Sequence, residues 1–345
     1  TPGAAPGALT ELDYLAAVDD FSRVGALRLQ SAHGDWLGHS APGEGATPPL
    51  LELPRMLDAS RAVENSSETA EDLRYLLGKG TSLGGMRPKC SLLDENGRLA
   101  IGKFPSIGDA RSVTRGEVLA MRLARRAGID AATARIVLVE GAVVAVIERF
   151  DRSPAPASRA SQRQGALGGA PQRIPYLSAA SMLQAPRDAE HTHSYADLAD
   201  AIRARCSRPA QDVQQLWRRL VFNLLVTNVD DHLHNHGFLY DGQGLWRLAP
   251  AFDLNPFPDK ARESKTWLSG DSGPIDSLDM LMQHAPYFGL TESAALTVVA
   301  DVHRATSAWR ADARSAAVGL KAAELKDFAP AFEHEARDAA RRRVS

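Results

Sequence analysis

Residues 230–236 gather Asp230, Asp231, His232, His234, Asn235 and His236, and one more carboxylate, Asp253, follows between Phe252 and Leu254. Two chemistries can use these side chains. In phosphoryl transfer a carboxylate accepts the proton of an attacking hydroxyl, while an amide and a second carboxylate hold Mg²⁺ against a phosphate chain. Asp230 and Asn235 have the D-x-x-x-x-N spacing for that work, and Asp253 stands where a second metal-holding acid is expected. In metal-assisted hydrolysis, His232, His234 and His236 alternate, so an extended backbone aims all three one way. They could then ligate Zn²⁺ with Asp230 or Asp253. The stretch follows an apolar helix, and carboxylates at a helix C-terminus oppose its dipole by about 0.3–1 kcal/mol. Such a placement argues for a function that offsets the cost, for example a bound cation.

The elements before this stretch decide which chemistry is supported. Gly78, Gly80, Gly84 and Gly85 crowd a loop that also holds Thr81, Ser82, Arg87 and Lys89. A hairpin is expected next, Lys89–Asp94 and Arg98–Phe104, turning at Asn96-Gly97. Lys103 shares a strand face with Leu99 and Ile101, so it either snorkels at the strand end or points into a cleft. A helix begins at Thr114, with Thr114 and Glu117 spaced as a capping box and Gly128 as its C-cap. That gives Glu117 a sufficient structural role. Two strands, Arg135–Val139 and Val143–Glu148, precede a segment at Ser153–Gln172 rich in Ala, Pro, Ser, Gly and Arg. Glycine loop, strand lysine, helix glutamate, linker, D-x-x-x-x-N and metal aspartate is the order of parts in a protein kinase. The chain departs from the usual motifs in lacking G-x-G-x-x-G and a His-Arg before Asp230, and Asp253 is followed by Leu-Asn.

A chain of 345 residues predicts two lobes. Its hydrophobic share of 44% provides for a sizeable core, and a net charge of −2 argues against nucleic-acid binding by bulk electrostatics. Four arginines at 337–343 read as a solvated helical end. Cys90 and Cys206 are too few for a disulfide framework or a zinc ribbon. No apolar run spans a bilayer and no signal peptide is visible, which predicts a cytoplasmic protein without membrane contact. The expected layout is a tail and peripheral subdomain over 1–66, a β-rich lobe over 67–152, a flexible loop over 153–175 and a helical lobe over 176–345. Helices are expected at Glu68–Leu77, through Leu216–Leu225 to about Thr227, and near Ser277–Gln283, Glu292–Thr306 and Ala311–Ala329. The tail Thr1–Ala8 has nothing to bury.

The chain resembles the HipA-type serine/threonine kinase toxins of bacterial type II toxin–antitoxin modules from about Asp13 to Phe328. The likeness is carried by Ser82-Leu-Gly-Gly-Met-Arg-Pro-Lys89, Ile101-Gly-Lys-Phe-Pro105, Glu148-Arg-Phe-Asp-Arg152, Asn228-Val-Asp-Asp-His-Leu-His-Asn235 and Trp246-Arg-Leu-Ala-Pro-Ala-Phe-Asp253. It implies an α+β class and an atypical two-lobed protein-kinase-like fold, β-rich in the N-terminal lobe and helical in the C-terminal lobe. It implies ATP and Mg²⁺ as cofactors, Asp230 as the catalytic acid, and Asn235 and Asp253 as metal ligands. Lys103 would contact the phosphates, Gly84, Gly85, Met86, Arg87 and Lys89 would form the phosphate loop, and Glu148, Arg149 and Phe150 the adenine hinge. Asp151 would lie near the ribose, and His232 and His234 would line the pocket. Ser82 matches the autophosphorylated serine, whose added charge would drive the loop from the phosphates. For Glu117 the resemblance implies a partner of Lys103. It further implies an aminoacyl-tRNA synthetase substrate, glutamyl-tRNA synthetase foremost. The implied partner is a helix-turn-helix antitoxin of the HipB type, with operator DNA reached mainly through that complex. A regulatory binding module with little catalysis is the alternative reading, and a zinc hydrolase a third.

Overall fold

The computed structural model describes residues 10–38, 47–76, 87–153, 172–186 and 193–344. The tail Thr1–Ala8 and the glycine-rich loop with Ser82, Gly84, Gly85 and Met86 lie outside the described residues.

The chain enters through α1 (Glu11–Ala17), started by a reciprocal capping box between Thr10 and Asp13. This helix buries none of its residues, but the turn after it buries Asp19, Asp20, Ser22 and Arg23. Next come α2 (Leu53–Glu64), with Pro54 in its first turn, and α3 (Ala70–Leu76). Residues 53–64, expected in a peripheral unit, instead lay Leu53, Met56 and Leu57 on the main sheet against Leu92, Ala100, Val144 and Val146.

That sheet is built from β1 (Lys89–Leu93), β2 (Leu99–Lys103), β3 (Ala134–Val139) and β4 (Ala142–Glu148), ordered β1-β2-β4-β3 with every neighbour antiparallel. Its first hairpin closes with Gly97 at φ +71°; the second closes through Glu140 and Gly141, both at positive φ. Between β2 and β3 runs α4 (Val113–Arg126), whose apolar face covers the sheet. The capping box expected at Thr114 is absent. The N-cap is Ser112, Thr114 lies inside the first turn, and Glu117 is left for another partner.

The expected loop over 153–175 is ordered at both ends, because β5 (Arg152–Ser153) pairs with β6 (Gln172–Arg173); residues 154–171 lie outside the described set. A second sheet follows in space, β7 (Tyr176–Ser178) beside β8 (Gly237–Gly242) and β9 (Leu245–Leu248). The helical lobe begins with the short α5 (Ala179–Met182), then α6 (Tyr195–Arg205), which starts on a Ser194–Asp197 capping box. Its central post is α7 (Pro209–Val226), ending as expected at Thr227, whose left-handed φ of +53° stops the helix. A small hairpin, β10 (Trp267–Ser269) and β11 (Gly273–Pro274), precedes α8 (Leu278–His284) and α9 (Glu292–Ser307). The single helix expected over Ala311–Ala329 is two, α10 (Trp309–Arg314) and α11 (Glu324–Phe332), parted by a turn with Gly319 at φ +73°. The arginine-rich end is α12 (Glu335–Val344), which is packed on α9 and buries Ala336, Arg337 and Ala340.

One large core joins α4, α6, α7, α9 and α11, with Trp217, Leu220, Val221 and Phe328 near its middle, while a smaller one lies between the main sheet and α2. Gly116 permits the junction, since a Cβ there would stand 2.6 Å from Phe328 Cε1. The described helices include none long and apolar enough to cross a membrane.

Candidate active site

Lys103 ends β2 opposite Ala145 of β4 and Lys89 of β1, so its side chain leaves the sheet where α4 and the Asp253 loop meet it. It does not snorkel. Its Nζ donates to Glu117 Oε1 at 2.6 Å and to Asp253 Oδ1 at 2.7 Å. Burial works against its charge, but the two carboxylates outweigh burial and hold its pKa above the ordinary lysine value. Burial holds the Glu117 carboxyl above the usual range, with Lys103 pulling the other way. Asp253 lies lower than usual, because Lys103 and Asn255 outweigh its own desolvation. Lys89 is pushed down by burial and by the neighbouring charge of Lys103.

Asp253 holds its place at φ +56°, a left-handed conformation costly for a residue with a side chain. Ala251, two residues earlier, bridges to Ala131, and Leu254 is buried, so the strained residue is fixed on both flanks. A non-glycine residue held this way at a carboxylate facing a cleft is a mark of function rather than of packing.

The loop after α7 separates its two aspartates. Asp230 keeps 42% of its side chain exposed, with Lys265 Nζ at 3.3 Å. Asn235 Nδ2 donates to the Asp230 carbonyl at 2.9 Å, which ties the two ends of the D-x-x-x-x-N stretch together. That bond leaves Oδ1 as the amide atom suited to a cation. Asp231 points inward and is 3% exposed. It accepts from Tyr195 Oη and, at 2.5 Å, from Asn223 Nδ2, with His236 Nε2 3.1 Å away. These partners outweigh its burial and keep its pKa below the usual value. The dipole cost at the end of α7 is therefore offset by protein groups, Lys265 for Asp230 and the buried set for Asp231.

The three histidines do not converge. A helical turn at Leu233–Asn235 breaks the alternation, leaving His232 and His234 edge to face at 5.8 Å while His236 is buried against Asp231 and Tyr195. Among the described residues no group of three or more His, Cys, Asp or Glu side chains is placed to hold a metal ion. The zinc reading of His232, His234 and His236 is thereby overturned. Magnesium asks less, one or two protein oxygens in company with phosphates and water, and Asp253 with Asn235 fits that donor set.

A cavity of about 840 Å³ opens between the lobes, lined by Lys103, Asp253, Asn235, His232 and His234. Glu148, Arg149 and Phe150 line it as well, and the Phe150 ring packs 5.7 Å from Phe252 and 6.2 Å from Tyr176. The size and mixed lining suit a nucleotide. Among the described residues the buried Nδ1 of His232 has no partner, and burial pushes its pKa down, so a neutral imidazole faces the cavity.

Three expected contacts are differently used. Glu148 is turned to Arg98 at 2.8 Å, which leaves the hinge to its backbone. Arg87 pairs with Asp109 at 3.0 Å and is not among the cavity's lining residues. Asp151, expected near a ribose, lines the cavity but is 2% exposed and also held by Arg149, Arg152 and the backbone N–H of Gly25 at 2.7 Å. The turn after α1 is thus bolted to the hinge, and its Val24 reaches the cavity wall. Neither Val24 nor Lys265, Tyr195 and Asn223 carries a sequence signal; only contact in space reveals them.

A family model described as HipA-like C-terminal domain matches residues 81–309. A Sinorhizobium fredii protein, "Putative kinase Y4mE", is 31% identical over 186 residues, 50% of this chain and 41% of its own length. A Shewanella oneidensis structure of the toxin–antitoxin system HipA, HipB and operator DNA aligns with TM-score 0.58 at 18% identity, over 76% of this chain and 64% of that one. The Helicobacter pylori proinflammatory kinase CtkA aligns with TM-score 0.54 at 16% identity, over 76% of this chain and 93% of that one. The chain therefore spans about two fifths of its curated relative and under two thirds of the Shewanella protein. At these identities the structural likeness is one of fold, and the fold is the two-lobed, kinase-like one.

Proposed function

Because the chain belongs to the HipA-like C-terminal domain family, we propose that it is an ATP- and Mg²⁺-dependent protein serine/threonine kinase acting as the toxin of a toxin–antitoxin pair. The observation that carries this reading is the Lys103 ammonium held between Glu117 and Asp253 at the cleft that Asn235 also lines. A charge fixed before a ligand arrives costs no reorganisation when phosphate enters. Bound Mg²⁺·ATP would supply the transferable phosphoryl group and neutralise its charge, with Asp253 and Asn235 as the holding side chains. Asp230, partly exposed and braced through its own carbonyl by Asn235, is the residue suited to align a serine or threonine hydroxyl and take its proton. The Glu148–Phe150 backbone and the Phe150 ring would seat the base. In this reading Ser82 is the autophosphorylation site and an aminoacyl-tRNA synthetase, glutamyl-tRNA synthetase foremost, the substrate. The partner is an antitoxin of the HipB type, through which operator DNA is reached; the Shewanella HipA–HipB–DNA complex supports that assignment by fold.

The test is incubation with Mg²⁺ and γ-labelled ATP followed by phosphopeptide mapping. Label on Ser82 is expected in the wild type, falling by about 10²–10⁴-fold in Asp230→Ala while ATP still binds. ATP bound but never transferred by the wild type would replace the kinase with a binding module.

A further inference from the structure

Asp231 cannot be part of the transfer chemistry, since it is buried behind the loop that presents Asp230. Its role emerges when the hydrogen bonds are followed from it. Asn223 Nδ2 donates to Asp231 Oδ2 at 2.5 Å, Asn228 Nδ2 donates to Asn223 Oδ1 at 3.0 Å, and the Asn255 backbone N–H donates to Asn228 Oδ1 at 3.0 Å. Asn255 then donates its own Nδ2 to Asp253 Oδ1 at 3.0 Å. The line is unbroken from the catalytic loop to the strained carboxylate, and Asn223 and Asn228 are 7% and 2% exposed.

Chemistry fixes the direction of every link. An ionised carboxylate only accepts, so Asp231 obliges Asn223 to present its NH₂. The Asn223 carbonyl then faces Asn228 and obliges that amide to present NH₂ in turn. This leaves the Asn228 carbonyl for the Asn255 N–H, the bond that fixes the backbone two residues after Asp253. A reversed amide anywhere would set two acceptors or two donors against each other among buried groups, at about 1–3 kcal/mol each. The remaining contacts hold the far end still: Tyr195 Oη donates to Asp231, and Thr266 Oγ1 donates to the Asp231 carbonyl at 2.8 Å.

We infer that Asn228 is a positioning residue: with Asn223 and Asn255 it forms a polarised amide relay, oriented by Asp231, that sets the Asp253 carboxylate relative to Asp230. The inference rests on the phosphotransferase reading and deepens it. Asp253 must hold an unfavourable backbone conformation without a strand or helix around it, and the relay adds a polar tie to the bridge at Ala251 and the buried Leu254. Groups of this kind that orient a metal-holding side chain are worth about 10–100-fold in metal affinity or activity.

The test compares the full-length wild type, Asn255→Ala, Asn228→Ala and the double variant. Asn255→Ala removes only the last link and lies in a half-buried loop, so it keeps the core intact even if Asn228→Ala does not. Three quantities are measured: the Mg²⁺ concentration giving half-maximal ATP binding by calorimetry, kcat and KM for transfer at saturating Mg²⁺, and thermal stability. Either single variant should raise the Mg²⁺ requirement about tenfold, and the double variant should raise it no further, because the links act in series. In nucleotide-free protein, hydrogen exchange at the Asn255 amide should be slow in the wild type and Asn255→Ala but fast in Asn228→Ala. A loss of stability with an unchanged Mg²⁺ requirement, or additive effects in the double variant, would overturn the relay while leaving the kinase reading in place. A wild type that neither binds nor turns over Mg²⁺·ATP would sink the kinase reading and the relay with it.

Discussion

Lys103→Met deletes one charge and keeps the length of the side chain, and its consequences can be worked out in some detail. Glu117, 3% exposed, would then face Asp253 without the ammonium that bridges them, leaving Lys89 and Arg87 as more distant cations acting on both. Breaking a buried pair by removing one partner costs about 3–5 kcal/mol. The lower end applies here for two reasons. The Asp253 side chain is 36% exposed, so water takes over part of its solvation. Glu117 can also escape by taking up a proton. Burial already holds its pKa above the ordinary carboxylate range, and Lys103 is the first influence pulling it back. Without Lys103 the pKa rises further, so at pH values above the unfolded pKa of about 4.3 the folded state carries a proton that the unfolded chain lacks. Where the folded state binds more protons, stability falls as pH rises. The deficit of the variant relative to the wild type should be largest at about pH 8 and shrink toward about pH 5. Urea unfolding at a series of pH values reads this directly. A deficit that is the same across that range, or a variant as stable as the wild type at about pH 8, refutes the account of Lys103 as the counter-charge of a buried glutamate.

Two further outcomes concern the frame. His334 is 8% exposed, and burial with Arg262 and Arg337 nearby pushes its pKa down to about 4. Its contribution is present above about pH 6.5 and lost as pH falls through 4, up to about 3 kcal/mol by linkage, so His334→Gln should flatten the acid limb of a stability profile. Gly116→Ala gains about 1 kcal/mol of helix propensity, yet its Cβ would stand 2.6 Å from Phe328 Cε1. A net loss of about 1–3 kcal/mol in urea unfolding is expected, and a more stable variant would refute the close fit.

The strands of the main sheet were legible because Asn96-Gly97 marks one hairpin turn and Glu140-Gly141 parts two runs of β-branched residues, and α7 because its apolar spacing is regular. The pairing of Lys103 with Glu117 was half legible. The spacing Thr114-x-x-Glu117 advertised a cap, and the helix starts two residues earlier at Ser112, which frees Glu117 for the cleft. The histidine reading failed for a related reason: alternation counts only in extended backbone, and one turn at Leu233–Asn235 sends His236 inward. What could not be read at all are contacts whose partners are distant in sequence and ordinary in type. Gly25 on Asp151, Lys265 on Asp230 and Tyr195 on Asp231 exist only because the fold brings them together.

The way α4 is seated sets how this cleft can move. Glu117 rides on a helix that shares the large core with α7 and α9, is pinned by Arg126 to Asp312, and reaches Val318 through Arg115. Lys103 rides on the sheet, whose far face belongs to the smaller core. A swing of α4 away from the cleft would open the apolar interior of the helical lobe. Ala134, Ala145 and Ile147 of the sheet share that interior with α4, and the Lys103–Glu117 bond crosses the same seam. The ion pair is thus the polar peg in an otherwise apolar seam, tying the end of the Lys103 strand to α4 at the mouth of the cleft.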